Sequence, residues 1–129
     1  MKRLLTALGA AVLVFAIGQP AAAQEAGKAA DAGETVSITA QVVDLSCKIV
    51  NDASGEGHQA CATACAEKGQ PLGLLTSDGQ FYVPVNAGMG ADGENARLKA
   101  FAEQTVKITG KVITRAGMKA IIIEEITKA

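Results

Sequence analysis

The stretch TVKITGKVITRAGMKAIIIEEI, residues 105–126, decides the fold. Val106, Ile108, Gly110 and Val112 alternate with polar neighbours, the period of two that a half-buried strand requires. Arg115-Ala116-Gly117 turns the chain, and Met118 to Ile126 runs back as a second strand. Val112, Ile113 and Ile121 to Ile123 supply core bulk. Glu124 and Glu125 are adjacent, so on a strand they point to opposite faces and cannot act as a carboxylate pair.

The same alternation recurs upstream. Val36, Ile38, Ala40 and Val42 interleave with Ser37, Thr39 and Gln41, which predicts a first strand from Thr35, with Val43 to Cys47 continuing or bending it. Leu72 to Thr76 and Gln80 to Val85 flank Ser77-Asp78-Gly79, a hairpin signal. Asn51 to Gly57 and the glycine-rich Asn86 to Asn95 read as loops. His58 to Lys68 is alanine-rich and is followed by Gly69 and Pro71, which predicts a short helix with a stop. Ala96 to Glu103 fits one or two helical turns. The expected fold is therefore mainly β with short helices: a five-stranded Greek-key barrel, with a Cys/His helix inserted between the first two strands.

The inserted segment holds two of the three cysteines and the only histidine. Cys47 precedes it; His58, Cys61 and Cys65 follow at i, i+3 and i+7. On a helix advancing about 100° per residue, the last three share one narrow face. One imidazole and three thiols suit tetrahedral Zn²⁺, and a thiolate-rich set also suits Cu(I). The expected metal ligands are Cys47, His58, Cys61 and Cys65. The plain alternative is a disulfide with a spare thiol. Cys47 bridged to Cys61 or Cys65 would staple the helix to the barrel. A Cys61–Cys65 bridge fits less well, because i and i+4 Cβ atoms stand about 5–6 Å apart on a helix and a disulfide needs roughly 3.5–4.5 Å. Asp44, three residues before Cys47, is either an acceptor that orients His58 or a cap on local backbone.

Residues 1–23 read as a secretory signal: Lys2-Arg3, an apolar run from Leu4 to Ile17, and Ala21-Ala22-Ala23 as the cleavage pattern. Residues 24–34 form a flexible lead-in, and 35–129 the domain. Cleavage after Ala23 leaves 106 of the 129 residues, enough for one core, and no membrane span. The 12 basic residues fall to 10 against 13 acidic ones, so no basic surface favours nucleic acid. The expected location is periplasmic or secreted, an oxidising setting in which cysteines usually pair. One histidine without a serine partner set gives hydrolase chemistry no support.

The run from Thr105 to Ile113, with Gly117 to Ile126, looks like the closing hairpin of exported bacterial OB-fold domains, a likeness that extends over residues 35–127. The wider pattern Val42-Val43-Asp44…Cys47…Gly57-His58…Cys61…Cys65…Gly69…Pro71-Leu72-Gly73-Leu74-Leu75 resembles a group of small exported bacterial proteins. The resemblance implies an OB-type barrel with Gly110 at a sharp strand bend; it brings no activity with it. Three functions follow from the residues. The first is a periplasmic binding protein for Zn or Cu(I). The second is a disulfide-stapled module that binds an envelope protein. The third is a thiol redox protein, disfavoured by the Cys-x-x-x-Cys spacing. Binding is expected over catalysis.

Overall fold

The alternating segments pair into one closed sheet. A computed structural model describes residues 33–129; the signal segment 1–23 and most of the lead-in lie outside the described residues. Strand β1 spans Glu34–Asp44, β2 Leu72–Thr76, β3 Phe81–Pro84, β4 Thr105–Arg115 and β5 Met118–Lys128. They close in the order β1-β2-β3-β5-β4, a five-stranded OB-type barrel. Every pairing is antiparallel except that of β3 with β5, which is parallel.

The hairpin of β4 and β5 is the longest seam, running from Val106↔Lys128 to Arg115↔Met118. Its register slips between Thr109 and Gly110, where β4 bends around the barrel. The inward residues of each strand meet in one core that includes Val42, Leu74, Val106, Ile108 and Ile121. A short helix, α3 (Asn95–Leu98), adds Leu98, which is fully buried.

Two helices lie between β1 and β2, where one was expected. The strand continues through Val43 and Asp44 but does not reach Cys47. β1 stops at Asp44, and α1 spans Leu45–Asn51. Asp44 starts it: its Oδ1 accepts the Cys47 backbone N–H at 2.9 Å. Asp52, in the left-handed region at φ 52°, ends it. Helix α2 follows at Gln59–Glu67, one residue later than the sequence pattern implies. Its buried residues are Ala62 and Ala66, whose small side chains let the helix lie close on the barrel.

Polar contacts tie this insertion down. Leu45 N–H donates to the Pro71 carbonyl at 3.1 Å. Ser46 Oγ donates to Gln70 Oε1 at 2.8 Å. Asn95 donates to the Ala66 and Gln70 carbonyls and accepts the Leu72 N–H. Leu45 also covers Gly73, where a Cβ would come within 2.4 Å of its side chain.

Candidate metal centre

Cys47 stands in the first turn of α1, and Cys61 and Cys65 stand one turn apart on α2. Their sulfur atoms lie within 4.8 Å of one another, and all three cysteines are free thiols. Tetrahedral zinc, with Zn–S bonds of about 2.3 Å, needs sulfur atoms about 3.8 Å apart. Small χ adjustments close that difference. The cluster can therefore coordinate a metal ion. It also joins two helices that otherwise touch little. Cys61 is exposed, whereas Cys47 and Cys65 are half-buried. The centre thus has a solvent side and a barrel side.

His58 does not join the cysteines. The expected stripe assumes a helix already running at residue 58, but the chain there forms a 3₁₀ turn, Glu56–His58. Its tighter winding, entered through Gly55 at φ 98°, breaks the helical phase and turns the imidazole elsewhere. His58 Nδ1 donates to Glu103 Oε1 at 3.1 Å. The four-ligand set is corrected to three cysteines on this ground.

Glu103 was not foreseen. Its side chain is wholly buried and its backbone sits at φ 59°, after the 3₁₀ turn Lys99–Phe101. Its Oε2 accepts from Gln41 Nε2 at 3.0 Å and from the Gly55 backbone N–H at 2.7 Å. With His58 on Oε1, this carboxylate fastens the loop before α2 to the barrel. Its donors lie 45 to 62 residues away in sequence, so no local pattern announces it. A His58→Ala variant is expected to lose about 1–3 kcal/mol in urea unfolding, because a buried charged acceptor loses one donor. Its ion stoichiometry by native mass spectrometry should stay at the wild-type value. Loss of the ion with stability intact would restore His58 as a ligand.

The electrostatics favour protonated Cys47 and Cys65 in the metal-free protein. Burial pushes the Cys65 thiol up to about 11, with further contributions from Cys61 and from the Asp44 carboxylate. Burial also raises Cys47, followed by the charges of Asp44 and Cys61. A cation reverses this balance, since it neutralises the charge that each lost proton leaves behind. Asp44 does not reach His58; it caps α1, and its carboxylate acts on two of the three thiols.

A closed OB-type barrel bearing a three-thiol centre on inserted helices is the class of protein that these features define. Comparison with protein-family models, with curated proteins and with solved structures returned no match. The likeness to small exported bacterial proteins with a Cys…His-x-x-Cys-x-x-x-Cys insertion does not hold, because the histidine stands outside the cysteine set. No described helix is long and apolar enough to cross a membrane.

Proposed function

We propose that this protein binds a thiophilic metal ion, Zn²⁺ or Cu(I), through Cys47, Cys61 and Cys65. One observation carries the reading: three sulfur atoms from two separate helices converge within 4.8 Å. Packing alone does not require this. A small hydrophobic residue would fill each position without bringing three reactive groups together. Exposed Cys61 leaves the centre open on one side, which suits an ion that is exchanged with a partner or sensed. The signal pattern at residues 1–23 supports a periplasmic or secreted setting, where coordination would protect thiols from oxidation. Redox catalysis is less well supported, because an activated cysteine needs a lowered pKa and Cys47 and Cys65 are both raised.

The test is ion titration of the reduced, anaerobically purified protein, read by native mass spectrometry with thiol counting. One ion per chain and three protected thiols are expected. Apparent affinity should rise from pH 6 to pH 8, since binding displaces thiol protons. A reduced protein that takes no ion would overturn the proposal, and one free thiol beside a disulfide in protein isolated without reductant would favour the stapled module.

A further inference from the structure

The three sulfurs of the centre differ in access and in mounting. Cys61 faces solvent, whereas Cys47 and Cys65 are half-buried. A bulky reagent therefore meets Cys61 first. Cys61 and Cys65 share α2, which the fold holds firmly. Ala62 and Ala66 are buried against the barrel. Gln59 Nε2 donates to the Ala102 carbonyl at 3.1 Å, and Asn95 Nδ2 donates to the Ala66 carbonyl at 3.2 Å. On such a helix i and i+4 Cβ atoms stand about 5–6 Å apart, and a disulfide needs roughly 3.5–4.5 Å, so Cys65 cannot join Cys61 unless α2 unwinds. Cys47 stands on α1, a separate helix that buries none of its residues, and its sulfur lies within 4.8 Å of the other two. Rotation of this side chain with a small shift of α1 brings it to Cys61 without opening the core.

We infer that Cys61 is a thiol–disulfide exchange site, at which a small-molecule disulfide enters, a Cys47–Cys61 bridge closes and the bound ion is expelled. The expulsion rests on the metal-binding reading above; the bridge does not. The Cys61 sulfur attacks an external disulfide RS–SR, forms Cys61–S–S–R and releases RS⁻. The Cys47 sulfur then attacks the Cys61 sulfur, and the second RS⁻ leaves. Both protein sulfurs react as thiolates, which the ion keeps deprotonated until they are bridged. They lose two electrons to the reagent, which departs as two thiols after taking two protons from water. A bridged sulfur no longer carries the charge that a soft ion needs. The ion leaves with its valence unchanged, and the Cys65 sulfur, its last ligand, takes a proton. The periplasmic or secreted setting proposed above supplies disulfides of this class. The odd cysteine has a part in both states. Cys65 completes the three-sulfur set when the centre is reduced, and it is the spare thiol once the bridge has closed.

The test treats reduced, Zn²⁺-loaded protein with oxidised glutathione in the absence of oxygen. A chromophoric chelator follows the Zn²⁺ released. The remaining thiols are alkylated, and peptide mapping with fragmentation between Cys61 and Cys65 locates the linkage. One Zn²⁺ released per bridge, a Cys47–Cys61 linkage and alkylated Cys65 are expected. Cys61→Ser should slow bridge formation at least about 10-fold, whereas Cys65→Ser should leave it at the wild-type rate. The mapping of wild-type protein needs no variant. A linkage that includes Cys65, or glutathione left on Cys61 with no bridge, overturns the inference. So does Zn²⁺ that stays bound after treatment, and in that case the metal-binding reading stands. Wild-type protein that takes neither Zn²⁺ nor Cu(I) yet closes the Cys47–Cys61 bridge with Cys65 free supports the exchange site and overturns the metal-binding reading.

Discussion

Cys65→Ser is expected to cost about 10²–10³-fold in ion affinity with the fold intact. Structural zinc sites of four ligands bind with apparent free energies of about 10–16 kcal/mol, so one ligand accounts for roughly 3–4 kcal/mol. Serine keeps the size of the side chain, but its hydroxyl neither ionises near neutral pH nor matches a soft ion. Cys65 is the most consequential of the three positions. It is half-buried, and the Cys61 thiol and the Asp44 carboxylate both act on its sulfur. Exposed Cys61 can be replaced in part by solvent, so Cys61→Ser should lose less. Competition against a chromophoric chelator measures both, and far-UV circular dichroism verifies the fold. An affinity for Cys65→Ser within threefold of wild type would remove this sulfur from the ligand set.

Gly110→Ala is expected to lower stability by about 1–3 kcal/mol, the range for overpacking. A Cβ at this position would stand 2.4 Å from the Ile122 carbonyl oxygen and 3.1 Å from Ile121 Cγ1. The first neighbour is backbone in the paired strand, so relief requires β4 and β5 to part. The residue lies at the register slip, paired to Ile123 on β5 and to Val36 on β1, so the strain reaches two seams. Urea unfolding at fixed pH measures the loss. A change below about 0.5 kcal/mol would show that the bend does not depend on the missing side chain.

The barrel was legible because its strands carry their burial pattern locally. Val106 and Ile108 alternate with polar residues and lie in the core. Gly110 announced the bend by lacking a side chain within such a run. Helix α1 was hidden by the same logic. Val42, Val43 and Leu45 suggest a strand running on to Cys47, yet the chain is helical from Leu45, and Ile49 and Val50 on that helix are largely exposed. The contrary signal was present in Asp44, a strong N-cap residue three positions before Cys47. Without α1, the distance from Cys47 to the other cysteines could not be read. His58 was misplaced because helical spacing applies only once the helix has begun, and its partner Glu103 is distant in sequence.

The parallel contact of β3 with β5 closes the cylinder over only two residue pairs, Val83↔Ala120 and Pro84↔Ile121. Pro84 has no amide proton to offer, so much of the join falls to the Val85 N–H, 2.9 Å from the Ile121 carbonyl, and to Lys119, which reaches Gln80 and lies over the Tyr82 ring. The β2–β3 seam is as short, but a tight turn joins its strands; the β3–β5 join has no such tether, so under heat or load it is expected to part first. Two unpaired borders then face solvent, each complementary to the opposite border of another copy. In crowded solution, reclosure competes with strand exchange between chains, and the weak join becomes a route to intertwined dimers.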